Sequence, residues 1–111
     1  MPDCIVEYSK RLSDKIDAKK IVEAAHNGAI KSELFDGSKV KTRATPVEHQ
    51  ILRDDRDVIH VTIRFLAGRT DDQKKHLSTS IVDELCALGL TNVAISADVY
   101  DLSPGYSIKL L

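Results

Sequence analysis

Pro2 is the first residue of this sequence that could do chemistry. Cells usually remove an initiator methionine when the next residue is small, and proline is small enough, so the processed chain is expected to begin at Pro2. Its nitrogen is then a secondary amine. An α-amino group has an unperturbed pKa of roughly 7.7–8.0, and neighbouring cations lower it towards neutrality. That range suits a general base. Taken alone, a proline at position 2 also reads as nothing more than a processed start. A retained Met1 would acylate the nitrogen and remove its basicity.

Three cations are candidates to hold an anion near such a base. Arg69 carries a guanidinium, which can grip a carboxylate through two parallel hydrogen bonds. A solvated arginine at the start of a helix is the plainer explanation. Its position is awkward all the same, because the positive end of a helix dipole disfavours a cation and a bound anion would offset the conflict. Lys41 and Arg43 alternate onto one face of a strand. They can bind a second carboxylate, or form only an exposed cationic edge.

Other chemistries lack their residues. His26, His49, His60 and His76 form no close metal-ligand pair, so surface side chains are expected and no metal. Five scattered glycines make neither a phosphate loop nor a dinucleotide fingerprint, and there is no GxSxG. No cofactor is implied.

The candidate residues need elements to position them. Cys4-Ile5-Val6-Glu7-Tyr8 is rich in β-branched, aliphatic and aromatic residues and reads as a strand that would fix the chain end. A polar turn over residues 9–12 follows, with Ser13 as an N-cap for a helix running to about Lys31. Ala18, Ile21, Val22, Ala25 and Ala29 form its apolar stripe, while Lys19, Lys20 and Glu23 face water. Gly28 within it costs about 1 kcal/mol relative to alanine. Asp36-Gly37-Ser38 is a turn, and residues 40–44 alternate like a strand until Pro46 interrupts it. Residues 47–52 are a short apolar stretch, and Asp54-Asp55-Arg56-Asp57 reads as a solvated charged turn.

The second half begins there. Residues 58–65 alternate strictly, with Ile59, Val61, Ile63 and Phe65 on one face and His60, Thr62 and Arg64 on the other. Leu66-Ala67-Gly68-Arg69 turns the chain, and Thr70 with Gln73 has capping-box spacing. Leu77, Ile81, Leu85 and Leu88, joined by Val82, form the stripe of a second helix, with Gly89 as its C-terminal cap. Residues 93–100 alternate as a last strand, and Ser103-Pro104-Gly105 ends it. The order is β-α-β twice, in halves of roughly 1–50 and 55–111, within one expected domain covering 1–111. An antiparallel pairing of the first strand with the strand ending near Leu66 would let Pro2 and Arg69 share a pocket. The ferredoxin-like fold has the same element order.

Three segments carry a resemblance. The opening MPDCIVEYS, residues 60–70 (HVTIRFLAGRT) and residues 96–104 (SADVYDLSP) resemble the 5-carboxymethyl-2-hydroxymuconate isomerases of the tautomerase superfamily. This resemblance implies an α+β fold of tandem β-α-β units, with a four-stranded mixed sheet backed by two helices on one face, and a homotrimer. It implies a cofactor-independent isomerase in which Pro2 shuttles a proton. Moving a proton within an enol creates negative charge on oxygen, and a fixed cation such as Arg69 would stabilise it. The implied substrate is 5-carboxymethyl-2-hydroxymuconate or a similar dicarboxylic enol from aromatic catabolism. Relatives resembling this chain have arginine where Lys41 stands, so charge is kept and the planar fork is lost.

Composition narrows the partners. With 16 basic and 17 acidic residues interspersed, the net charge of −1 leaves no footprint for nucleic acid or an anionic membrane. No apolar run approaches a bilayer-spanning length and the N-terminus lacks signal-peptide regions, so a cytoplasmic protein is expected. Cys4 and Cys86 are expected to be reduced core residues. Leu102, Tyr106, Ile108, Leu110 and Leu111 form an apolar tail that either a partner subunit or the protein's own core would cover. Two other functions fit the same residues: addition of water or nucleophilic attack by the proline amine on an unsaturated acid, and a non-catalytic trimer that binds a small acid or a protein.

Overall fold

The computed structural model describes residues 2–52 and 54–111. The expected loss of Met1 therefore concerns a residue outside the described ones.

The strands are β1 (Asp3–Ser9), β2 (Lys41–Val47), β3 (Asp57–Phe65) and β4 (Val93–Asp101). They form one mixed sheet in the order β2-β1-β3-β4. β1 runs parallel to β2 and antiparallel to β3, and β3 runs parallel to β4. Two helices, α1 (Ala18–Lys31) and α2 (Asp71–Cys86), complete the two β-α-β units in this small α+β fold.

Alternation decides which face each side chain takes. Cys4, Val6 and Tyr8 of β1 and Ile59, Val61, Ile63 and Phe65 of β3 are buried in one cluster with Ile21 and Ala25 of α1 and Leu77, Ile81 and Leu85 of α2. Each fully buried aliphatic side chain stabilises the fold by about 1.5–3 kcal/mol relative to exposure. The opposite face of the sheet is polar. Its cross-strand rows read Lys41, Asp3, Arg64, Tyr100 and then Arg43, Ile5, Thr62, Asp98.

The helices approach each other at Gly28. A Cβ there would lie 2.6 Å from the Cα of Ile81 and 2.9 Å from the carbonyl oxygen of Ser80. The expected cost of this glycine is thus offset by a contact that alanine would block. Ser80 Oγ donates to the Gly28 carbonyl at 2.7 Å. At the other helix, Thr70 and Gln73 form the expected capping box at the start of α2.

Several local expectations are corrected. α1 begins at Ala18 with Asp17 as its N-cap, accepting from the Lys19 amide, and not after Ser13. Residues Lys10–Asp14 form a 3-10 turn, which tucks Leu12 completely into the core. Pro46 does not end its strand, because β2 lies at the sheet edge, where a missing N–H is tolerated. The 47–52 stretch is no element of its own: Val47 closes β2 and Ile51 is fully exposed.

Asp57 is not a solvated turn residue. It opens β3 at 1% exposure, paired with Arg11 Nε and lying 3.9 Å from Lys15 Nζ. The second helix ends at Cys86 with Ala87 as its C-cap, and Gly89 follows at φ 75, the left-handed region where glycine is favoured. Cys86 is exposed, so only Cys4 is a core thiol. Among the described residues no helix is long and apolar enough to cross a membrane.

Candidate active site

The site begins with strand pairing. Asp3 of β1 stands opposite Arg64 of β3, so the residue before the first and the residue after the second arrive together at one end of the sheet. Those residues are Pro2 and Phe65, and both are buried. The Pro2 carbonyl accepts from the Lys41 amide at 3.0 Å, which ties the chain start to β2 as well. The strand thus holds the chain start in place, where an untethered terminus would be disordered.

A small cavity of about 70 Å³ lies at this end, lined by Pro2, Phe35, Phe65, Leu66 and Arg69. The turn after β3 delivers Leu66 and Arg69, and the link between α1 and β2 delivers Phe35. The chain has only two phenylalanines, and they meet here edge to face, with ring centroids 5.1 Å apart.

Arg69 is anchored from several sides. Its guanidinium carbon lies 4.9 Å from the Phe65 ring centroid and 5.3 Å from that of Phe35. Nη1 donates to the Leu66 carbonyl at 3.3 Å and Nη2 to the Leu34 carbonyl at 3.1 Å. These rings and carbonyls supply part of the negative potential that the helix dipole denies a cation just before α2. Asp71 and Asp72 in the first turn of α2 meet the dipole directly. A guanidinium has five N–H donors, so the two carbonyl bonds leave capacity for a bound anion.

The four expected site residues divide into two groups. Pro2 and Arg69 line the same cavity. Lys41 and Arg43 are exposed on the polar face of the sheet, beside Asp3 and Ile5 in the register, and do not line it. Arg43 Nη1 lies 3.9 Å from Asp3 Oδ1.

Phe35, Phe65 and Leu66 were not among the expected site residues. Phe65 was legible only as the last core position of β3. Phe35 stands in a link with no periodicity, and its one signal is a large aromatic residue where no helix or strand needs one.

The only buried thiol nearby is poorly suited to nucleophilic work. Burial pushes Cys4 up to about 11, with a hydrogen bond to Thr42 acting the other way. Two histidines are half-buried and engaged: His26 Nδ1 is 2.7 Å from Thr42 Oγ1, and His60 Nδ1 is 2.7 Å from Ser96 Oγ.

The family model for 5-carboxymethyl-2-hydroxymuconate isomerase matches residues 2–110. This chain belongs to that family. The isomerase family lies within the tautomerase superfamily, and membership gives the chain an isomerase or tautomerase type of function. A comparison with curated proteins found no match.

Solved structures agree on the fold. A 5-carboxymethyl-2-hydroxymuconate delta-isomerase aligns with TM-score 0.85 at 16% identity, covering 99% of this chain and 88% of that one. A 5-carboxymethyl-2-hydroxymuconate isomerase from Deinococcus radiodurans R1 aligns with TM-score 0.76 at 17% identity, over 98% and 88% of the two chains. A fused 4-OT protein, described as a symmetric trimer, aligns with TM-score 0.68 at 14% identity, over 95% and 91%. At these identities the sheet and helices are shared, and each relative's activity remains its own.

Proposed function

We propose that this isomerase moves a proton within an unsaturated 2-hydroxy acid such as 5-carboxymethyl-2-hydroxymuconate, with Pro2 as the shuttle. The observation that carries the reading is that Pro2 and Arg69 line one cavity in a chain of this family.

In this mechanism Met1 is removed and the Pro2 nitrogen is a free secondary amine. It takes the proton of the enol hydroxyl and returns it to a carbon of the conjugated chain, so the enol becomes a ketone and the amine is regenerated. The Arg69 cation on the same cavity disfavours the protonated amine, which keeps a base available near neutral pH. Arg69 holds the carboxylate beside the reacting enol and stabilises the charge that develops on its oxygen.

The same reading makes the protein a homotrimer assembled through the polar sheet face. Lys41 and Arg43 lie on that face, so they reach a substrate's second carboxylate only where a neighbouring subunit brings the face against another copy's Pro2 end. Support comes from the fold shared with a trimeric protein and from the exposure of that face.

The test is a double variant. Pro2→Ala alone leaves a primary amine able to act as a base, so Pro2→Ala combined with Arg69→Ala is the informative protein. Loss of the ketonisation reaction is expected, and turnover surviving in the double variant would sink the mechanism. Identifying the product by NMR separates isomerisation from addition of water.

A further inference from the structure

Phe35, Phe65 and Arg69 pack as a closed triangle at the cavity. The guanidinium carbon lies 4.9 Å from the Phe65 ring centroid and 5.3 Å from that of Phe35, and the two rings are 5.1 Å apart. The turn that carries Arg69 does little to fix it. Leu66, Ala67 and Gly68 are exposed, and the bond from Nη1 to the Leu66 carbonyl, at 3.3 Å, stays within that turn. The other restraints come from outside. β3 supplies Phe65, whereas the Leu34 carbonyl and the Phe35 ring are consecutive residues of the α1–β2 link.

That link follows a defined path. Glu33 turns the chain after α1 at φ 60, a conformation uncommon for a residue with a side chain. Ser32 Oγ donates to the Ala29 carbonyl at 2.6 Å and accepts from the Leu34 amide at 3.4 Å, and Asp36 Oδ1 accepts from the Ser38 amide at 3.0 Å. Between these fastenings the Phe35 ring packs edge to face on Phe65 and seats the link against the end of β3. Loss of the ring would remove one cation–π contact and loosen the carbonyl that Nη2 bonds.

We infer that Phe35 is a positioning residue: by packing on the guanidinium and seating the Leu34 carbonyl, it holds the Arg69 charge on the cavity shared with Pro2. The consequence is read at the Pro2 amine. A cation held close disfavours the protonated amine, so a loosened Arg69 lets the amine take up its proton at higher pH. The inference rests on the reading of Pro2 as a free amine beside Arg69.

Among the described residues Arg69 is the one charged side chain lining the cavity. Asp3, Lys41 and Arg64 of the three neighbouring strands lie on the polar face of the sheet. Lys74 of α2 pairs with Asp101 of β4 at 3.1 Å, and Asp71 and Asp72 are exposed at the start of α2. Cys4 is a neutral thiol, pushed up to about 11, and His26 of α1 is engaged by Thr42. Glu33, Asp36 and Lys39 of the link are exposed. All of these are common to the variants compared below, so their effects cancel.

Titration of the free protein tests the inference without turnover. Protein labelled with ¹⁵N-proline, and shown by mass spectrometry to begin at Pro2, is titrated by NMR as wild type, Phe35→Leu, Arg69→Ala and the double variant. Arg69→Ala should raise the midpoint of the Pro2 amine by about one pH unit or more, the usual size for a charge at close range. Phe35→Leu should raise it by about half a pH unit in the wild-type background and by less than about 0.2 in the Arg69→Ala background, because the effect passes through the arginine. Phe35→Tyr keeps the ring and should titrate like wild type. A ring that served only as apolar cover would shift the midpoint equally in both backgrounds, which would overturn the inference. An unchanged midpoint in Phe35→Leu or in Arg69→Ala would overturn it too. If Phe35→Leu does not fold, Phe35→Met is read in the same way. Failure of the proton-transfer reading looks different: the coupled shifts with no conversion of an enol acid.

Discussion

Asp3 faces Arg64 across the antiparallel β1–β3 pair, and this one register relationship brings Pro2 to the strand end from which Phe65, Leu66 and Arg69 depart. A slip of one residue would move Pro2 to the polar face of the sheet, because strand side chains alternate.

Arg69 is expected to act mainly on the transition state. Arg69→Ala should lower kcat/KM by roughly 10²–10³, the usual loss when an oxyanion-stabilising donor is removed. Arg69→Lys should recover only part of this, since it keeps the charge and loses the fork that reaches both Leu34 and Leu66. Steady-state kinetics of the two variants check this, and equal rates for wild type and Arg69→Ala would remove Arg69 from the mechanism.

Gly28→Ala should destabilise the fold although alanine is the better helix former. The new methyl would meet the Ile81 backbone at 2.6 Å, and backbone cannot turn aside as a side chain can. Overpacking of this kind costs about 1–3 kcal/mol, against a gain in helix propensity of about 1 kcal/mol. Urea unfolding of both proteins should show a lower midpoint for the variant.

Cys4 should make stability fall in alkali. Its thiol ionises near 9.0 when exposed and is raised to about 11 by burial in the folded protein. Between these values the unfolded chain has released the proton and the native one has not, so stability drops as pH rises, by up to about 1.4 kcal/mol per pH unit. The contribution is fully present below pH 9. The stability difference between wild type and Cys4→Ala should therefore shift in favour of the variant from pH 9 to 11. At neutral pH a thiol reagent should label Cys86 rapidly and Cys4 only after unfolding.

Assembly through the polar sheet face should be sensitive to Ile5, the apolar residue in the row Arg43, Ile5, Thr62, Asp98. Ile5 points away from the core, so Ile5→Glu should leave the protomer folded by circular dichroism and convert a trimer to monomers in sedimentation equilibrium. A wild type that sediments as a monomer would remove the trimer from the proposal.

Much of this fold was legible because its elements carry strict local patterns. β3 alternates without exception, β1 is dense in strand-forming residues, and Thr70 with Gln73 writes the start of α2. The errors fall where tertiary contacts override local pattern. Leu12 is a core residue within a polar turn, Asp57 is a buried carboxylate within a charged run, and Pro46 is accepted because its strand lies at an edge. Pro2 and Arg69 could be paired from sequence once an antiparallel register was assumed. Phe35 could not, since its role depends on where an aperiodic link falls in space. Lys41 and Arg43 alternate as expected, and only the register that pairs them with Asp3 and Ile5 shows that they stand on the face of the sheet away from the cavity.

The most direct measurement compares two preparations of one sequence, separated by mass spectrometry into chains beginning at Pro2 and chains retaining Met1. Conversion of 5-carboxymethyl-2-hydroxymuconate is followed by ultraviolet absorbance. Saturable turnover by the Pro2-initiated protein, and none by the Met1-retaining protein, is the predicted result. Equal turnover by both would contradict a proline amine as the proton carrier.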